Sequence, residues 1–227
     1  MDLVIGPELE PYVFYYLDDL IVCTPDFQSH IKTLDEVHRR LKNANLTVNL
    51  DKCNFARDSL KFLGFVVDEK GLRTDPEKIS AILEYPTPST TTQIRRVIGM
   101  IGYYRRFLPN FSSVAAPITD LLKGKKKGQP ITWSPEADDA FKEVKRLLTS
   151  TPVLSSPDFS KPFSIVCDAS DLGVGGVLFQ DADRLDHPIS FFSKTLNKSQ
   201  RKYSTTEKEL LGLLLSVEHF RCFVEHT

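Results

Sequence analysis

Two aromatic and β-branched runs, Val13-Phe14-Tyr15-Tyr16-Leu17 and Leu20-Ile21-Val22-Cys23, close around the acidic pair Asp18-Asp19. Runs of strand-forming residues broken by a short polar pair read as a β-hairpin, here with two carboxylates at its turn. The runs are apolar on both faces, which places the hairpin inside a protein and not on its rim. Adjacent carboxylates in such a setting carry a desolvation cost unless they are paired or bound to metal. Two readings stay open. One is a solvated Asp-Asp turn. The other is a site for a hard divalent cation, Mg²⁺ or Mn²⁺, which takes oxygen ligands. Two-metal phosphoryl transfer needs several such carboxylates around ions ~3.5–4 Å apart.

The rest of the chain alternates helical and strand patterns. Ile31, Leu34, Val37 and Leu41 recur at helical spacing over 29–43, and Asn43, Asn45 and Asn49 mark the exit loop. Residues 60–67 read as one strand, turned by Asp68-Glu69-Lys70-Gly71 into a second. Asp75 is placed to cap a helix with Pro76 at its first position, and Pro86 and Pro88 stop it near Tyr85. Thr90 and Gln93 have capping-box spacing for a helix whose stripe is Ile94, Val97, Ile98, Ile101 and Leu108, ended by Pro109. A short helix is expected over 115–122, a flexible basic loop over 123–128, and an amphipathic helix after Trp133-Ser134-Pro135-Glu136, with Ala140, Phe141, Val144, Leu147 and Leu148 inward. Residues 151–162 hold three prolines and four serines or threonines and read as a linker. Strand patterns follow at 163–167, 176–179 and 187–192, then a helix from about Thr206 past Phe220.

Apolar residues are 41% and charged residues 26% of 227, enough for ordinary cores. No run of eighteen apolar residues and no basic-then-apolar start occurs, so a membrane span and secretion are not expected. Cys23, Cys53, Cys167 and Cys222 are scattered without metal-site spacing, which suits reduced thiols in an intracellular (cytoplasmic or nuclear) protein. His30, His38, His187, His219 and His226 lack ligand spacing to one another. Net charge is −1, but residues 86–128 hold eight basic residues against one acid, a local net of +7. Such a concentration suits phosphate contacts. At 100° per residue Arg95 and Arg106 fall within about 20° of each other on a continuous helix. They would then share a flank, with Tyr103 and Tyr104 as stacking surfaces. The alternative is a solvated basic face with core tyrosines.

The order of segments is more specific than any one of them. Tyr16-Leu17-Asp18-Asp19 is followed by a helix, by Leu46-Thr47-Val48-Asn49-Leu50-Asp51-Lys52-Cys53-Asn54-Phe55 and by Phe62-Leu63-Gly64-Phe65. Ile98-Gly99-Met100, Tyr103-Tyr104-Arg105-Arg106-Phe107, Ala116-Pro117-Ile118, Trp133 and Cys167-Asp168-Ala169-Ser170 come next. The series closely resembles the reverse transcriptase and RNase H region of gypsy-type (Ty3/gypsy) LTR retrotransposon Pol polyproteins, over essentially the whole chain.

The resemblance implies a mixed α/β fold: the C-terminal part of a palm over 1–70, a helical thumb over 71–130, a connection over 131–158 and the N-terminal half of an RNase H-like domain over 159–227. It implies an RNA-directed DNA polymerase with RNase H, using Mg²⁺ or Mn²⁺, an RNA/DNA template-primer hybrid and deoxynucleoside triphosphates. Asp18 and Asp19 match the paired polymerase aspartates, and Asp168 and Glu209 match two RNase H acids; all four are implied as catalytic metal ligands. Tyr16, the Leu63-Gly64-Phe65 hairpin, Arg95, Arg106, Lys125, Lys126 and Lys127 are implied nucleic-acid contacts; Leu63-Gly64-Phe65 matches the hairpin that positions the primer end, though a plain core strand suits the same residues. Lys52 stands where the family has a lysine associated with pyrophosphate departure, or is simply solvated. From the residues alone Glu207 and Glu209 stay open as the site acid, because Ser204–Glu207 and Thr206–Glu209 both have capping-box spacing. The family's further palm and RNase H aspartates have no counterpart among these residues, so this polypeptide alone is expected neither to polymerise DNA nor to cleave RNA. A catalytically dead remnant that still grips nucleic acid is the alternative.

Overall fold

A computed structural model describes residues 1–180 and 188–225. The chain divides into two compact units, 1–56 and 57–227.

The first unit holds α1 (Asp2–Ile5), β1 (Val13–Tyr16), β2 (Asp19–Val22) and α2 (Phe27–Asn43). The strands pair antiparallel from Val13↔Val22 to Tyr16↔Asp19. Alternation therefore gathers Val13, Tyr15, Leu20 and Val22 on one face, where they pack with Ile5, Val37 and Leu41. The opposite face is open: Phe14 is 50% and Tyr16 54% exposed. The expectation of a hairpin buried on both sides is thus corrected, because within this unit helices cover only one side of the two-stranded sheet. Asp26 is the cap of α2: its carboxylate accepts from the Ser29 amide at 2.8 Å and hydroxyl at 2.6 Å. Arg40 then ties α2 to the N-terminal segment, pairing with Glu36 and Glu8 at 2.6 Å each and donating to the Ile5 carbonyl. Hydrogen bonds from Arg39 and Arg40 hold the Glu36 carboxyl at about 2, below its ordinary 4.5.

The second unit opens with a three-stranded antiparallel sheet, β3 (Ser59–Phe62), β4 (Phe65–Asp68) and β5 (Gly71–Thr74). The single strand expected over 60–67 is in fact a hairpin, turned at Leu63-Gly64 where both residues have positive φ. Next come α3 (Pro76–Leu83), α4 (Thr91–Tyr103), a 3₁₀ turn (Arg105–Phe107), α5 (Phe111–Val114), α6 (Ala116–Asp120) and α7 (Pro135–Thr149). Their caps follow the sequence: Asp75 accepts from Glu77, the Thr90–Gln93 box is complete, and Ser134 accepts from Ala137. Ile82, Ile94, Val97, Ile101, Phe107 and Val144 are buried in a common core with Leu148 and Leu154. The expected linker is not free. Leu154 exchanges backbone hydrogen bonds with Leu72 of β5 at 2.8 and 2.9 Å, and its carbonyl sits where a Gly71 side chain would stand. The expected helix over 115–122 is α6, shorter at Ala116–Asp120 with Pro117 in its first turn, and a separate short helix, α5, precedes it.

The C-terminal part has β6 (Ser164–Ala169), β7 (Gly173–Phe179) and β8 (Pro188–Thr195) in the order β6-β7-β8, then α8 (Thr205–His219) and α9 (Arg221–Val224). Of the expected strand 187–192, position 187 lies outside the described residues. Strand β7 is squeezed from both sides. A side chain at Gly175 would strike Asn110, and one at Gly176 would strike Ser216 of α8. Helix α8 accordingly buries its small and polar stripe, Lys208, Gly212 and Ser216, while Leu210 and Leu214 are 67% and 63% exposed. Among the described residues no helix is long and apolar enough to cross a membrane.

Two stability outcomes follow. Ile101→Ala, at a fully buried site, should cost about 2–5 kcal/mol in urea unfolding. The first unit should lose stability in acid: a carboxyl depressed from 4.5 to about 2 stabilises fully above pH 4.5, and that contribution fades as pH falls toward 2. An α2 helicity titration by circular dichroism should show this loss, and Glu36→Gln should abolish it.

Candidate functional site

Asp18 and Asp19 lie at the tip of the first hairpin. Leu17 has φ +54°, so the chain reverses through the left-handed region. Asp18 remains in the turn, while Asp19 begins β2 opposite Tyr16 and shares its face. Both acids and the Tyr16 ring are exposed. The tip therefore does not impose the burial cost that first suggested a metal, and the pair stands as two solvated carboxylates side by side. Such a pair still suits Mg²⁺, which is commonly held by one or two carboxylates together with substrate phosphates and water. Lys52 ends a 3₁₀ turn, Leu50–Lys52, and is exposed.

Asp168 and Glu209 sit on separate elements that pack together. Gly212, one turn beyond Glu209 on α8, faces the Asp168 backbone, at a distance that would leave an added side chain 3.8 Å from the carbonyl oxygen. The Cys167 thiol reports both acids: burial, then the Glu209 and Asp168 charges, push its pKa up. Asp168 is exposed and Glu209 half-buried. Glu207 is committed elsewhere. Its carboxylate accepts from the Ser204 amide at 2.7 Å and hydroxyl at 2.8 Å, completing a capping box at the helix start. The neighbouring Lys208 ammonium is buried and pairs with Asp171 at 2.6 Å, tying α8 to the β6–β7 loop. Among the described residues no three His, Cys, Asp or Glu side chains group as a metal site. Asp18 with Asp19, and Asp168 with Glu209, are at most pairs.

The basic segment resolves into distinct roles. Arg95 and Arg96 are exposed on α4, on the face that also carries Gly99, Gly102 and Tyr103. Nothing lies within 4 Å of where a side chain on either glycine would stand. The continuous helix on which Arg95 was expected to align with Arg106 is not formed. Helix α4 ends at Tyr103, and Arg106 is carried by the 3₁₀ turn, so helical phase no longer relates the two. Arg105 is structural: its guanidinium donates to Ser112 at 2.6 Å and to the Ser193 carbonyl, and burial lowers its pKa. Lys123 pairs with Asp120 at 2.7 Å. The loop bearing Lys125, Lys126 and Lys127 is pinned, not flexible. The Thr91 hydroxyl donates to the Lys126 carbonyl and its amide to the Gln129 carbonyl, both at 2.9 Å. These bonds bring the lysines to the first turn of α4, one turn from Arg95. Gly99 and Gly102 were missed as site residues from sequence, although two glycines inside a helix are a readable cost of about 1 kcal/mol each.

Leu63 and Gly64 form the turn of the second hairpin, with φ +48° and +75°. Phe65 points inward instead, its ring 5.0 Å from that of Tyr103 and 5.6 Å from that of Phe107. It supports the tip more than it presents a surface.

Residues 4–67 match the reverse transcriptase (RNA-dependent DNA polymerase) family, and residues 133–227 match the RNase H-like domain found in reverse transcriptase. The Pol polyprotein of transposon opus from Drosophila melanogaster is 37% identical over 99% of this chain and 23% of its own length. That of transposon 297 from the same organism is 38% identical over 99% and 21%. The Tf2-3 polyprotein of Schizosaccharomyces pombe is 34% identical over 100% and 17%. The chain is a homologue of LTR-retrotransposon Pol polyproteins.

It spans about a fifth of the length of the curated Pol polyproteins it matches. A foamy viral protease–reverse transcriptase solved with RNA/DNA hybrid superposes with a TM-score of 0.87 and 24% identity, over 98% of this chain and 30% of that one. Another, dRH, solved with double-stranded DNA, superposes with a TM-score of 0.88 and 24% identity, over 98% and 39%. They show the mixed α/β fold. The match that begins at Trp133 covers α7 as well as the C-terminal sheet. The match that ends at residue 67 stops inside β4.

Removing the true cap of α8 separates the two glutamates. Ser204→Ala should cost about 1 kcal/mol in urea unfolding. Thr206→Ala should change stability by no more than about 0.5 kcal/mol, as at a surface position without such a role.

Proposed function

We propose that this chain grips an RNA/DNA template-primer hybrid for the RNA-directed DNA polymerase and RNase H reactions of a retrotransposon Pol protein. One observation carries the reading: α4 turns an open face of Arg95, Arg96, Gly99, Gly102 and Tyr103 to solvent, with Lys126 and Lys127 pinned at its first turn. Cations there neutralise phosphates, and the bare glycine backbone lets a duplex approach closely. The ligands of the structural neighbours, double-stranded DNA and RNA/DNA hybrid, support the same partner.

In this reading Asp18 and Asp19 hold a divalent cation at the polymerase centre, and Asp168 and Glu209 hold one at the RNase H centre. When bound, such an ion neutralises phosphate charge and orients the reacting phosphoryl group. Tyr16, exposed beside Asp19, offers a ring to the nucleic acid at the tip. The Ser204–Glu207 box favours Glu209 over Glu207 as the second RNase H acid, since Glu207 already satisfies the helix start. Deoxynucleoside triphosphates are substrates of the larger enzyme.

Binding of a fluorescent RNA/DNA hybrid to the chain, followed by anisotropy across a salt series, tests the proposal. The triple variant Arg95→Ala, Lys126→Ala, Lys127→Ala should bind at least tenfold more weakly. Its log–log salt slope should be shallower by about two to three, at ~0.9 for each phosphate no longer neutralised. Gly99→Ala should bind more weakly while unfolding at higher urea, because alanine favours the helix by about 1 kcal/mol where nothing crowds it. Unchanged affinity in both variants would remove the reading.

A further inference from the structure

We infer that Tyr103 is a positioning residue, a latch that holds the Leu63-Gly64 tip in the conformation in which it meets a primer terminus. The inference rests on the template-primer reading above.

The tip is poorly supported by its own chain. The Phe62↔Phe65 pair leaves a two-residue turn, and both residues take positive φ, at +48° and +75°. Glycine adopts this freely, but for Leu63 the left-handed region is unfavourable. Nor is the tip seated on solid packing. An open groove of about 390 Å³ runs beneath it, lined by Leu63, Gly64, Ile82, Met100 and the two tyrosines. Such a turn suits the twist of a hairpin, but Leu63 remains unfavourable in it.

What holds it comes from the end of α4. The Tyr103 hydroxyl donates to the Leu63 carbonyl. Its ring lies 5.0 Å from Phe65 at an interplanar angle of 11°, and 3.4 Å from where a side chain on Gly64 would stand. Tyr104 plays a lesser part: its hydroxyl reaches the Gly64 carbonyl only at 3.5 Å, and its ring meets Phe65 edge-on at 5.9 Å. Tyr103 also shares its helix face with Arg96 and Gly99, seven and four residues earlier, within about 40°. A hybrid lying along that face would run toward the tip, so the latch joins the surface that binds the duplex to the turn that receives its end.

The test uses the 227-residue chain and an RNA/DNA hybrid whose primer ends in 4-thiothymidine. Tyr103→Phe keeps the stacked ring and removes only the hydroxyl. Amide exchange at Phe65 should quicken about three- to tenfold, the range one net hydrogen bond supports. Photo-crosslinking of the primer end to residues 62–66 should fall by at least threefold, and by clearly more than any fall in hybrid affinity. Tyr104→Phe should change both readouts less. Unchanged exchange in Tyr103→Phe would overturn the latch. Unchanged crosslinking would overturn the positioning role, as would an absence of crosslinking in the parent chain when it binds the hybrid. A fall in crosslinking matched by an equal fall in affinity would make Tyr103 an ordinary duplex contact and overturn it too. If the parent chain fails to bind the hybrid, the template-primer reading fails and the positioning role falls with it, while the exchange measurement still judges the latch on its own.

Discussion

Ile94, Val97 and Ile101 are fully buried along one side of α4, and the second unit is arranged around that stripe. Burying three such side chains is worth roughly 5–9 kcal/mol at about 1.5–3 each. That equals the net stability of many domains. The inner side alone therefore secures the helix, and the outer side can be chosen on other grounds. Two glycines there cost about 1 kcal/mol each and bury nothing, which the stripe easily offsets. The ends of the same helix carry what surrounds it. Thr91 anchors the lysine loop at one end, and Tyr103 with Tyr104 holds the hairpin tip at the other.

The C-terminal sheet depends on close approach instead of bulk. Strand β7 can be pressed by Asn110 on one face and Ser216 on the other only because Gly175 and Gly176 carry no side chains. Arg105 then links the 3₁₀ turn to β8 through Ser112 and Ser193, which is why one of the eight cations of the basic segment is unavailable to a polyanion. Lys208 is similarly withdrawn. Its ammonium is buried, but Asp171 is almost fully exposed, so screening by water keeps the pair weak and its value is mainly to fix the loop after Asp168 against α8.

Much of this was legible in the residues, and the failures share a cause. Caps were readable because they are local: Asp75, Thr90–Gln93 and Ser134 act within one turn of their partners. The candidate acids were reached only as positions in an ordered series. Tertiary facts were not legible. Nothing near Phe14 or Tyr16 in sequence tells that helices cover only one face of their hairpin. Nothing around Leu154 announces its bonds to Leu72, eighty-two residues away. The helix expected to carry both Arg95 and Arg106 failed for a subtler reason. Phase extrapolates only while the helix lasts, and Tyr104 ends it before Arg106. Which glutamate closes the capping box needed the observed geometry, since Glu207 and Glu209 both fit the same three-residue spacing.

The charge distribution bears on how such a chain would meet a polyanion. Residues 86–128 carry +7 in a chain of net −1, so the remaining residues carry −8. At distances beyond the ~8–10 Å Debye length the two nearly cancel, and long-range steering of a duplex toward the chain is weak. Closer in they act separately. The α4 side attracts phosphates while the rest repels them, so the field selects the orientation of the encounter more than its rate. A uniformly basic chain would hold a polyanion on any face alike. Concentrating eight cations on one helix face, the turn that follows it and one pinned loop makes a single orientation the favoured one.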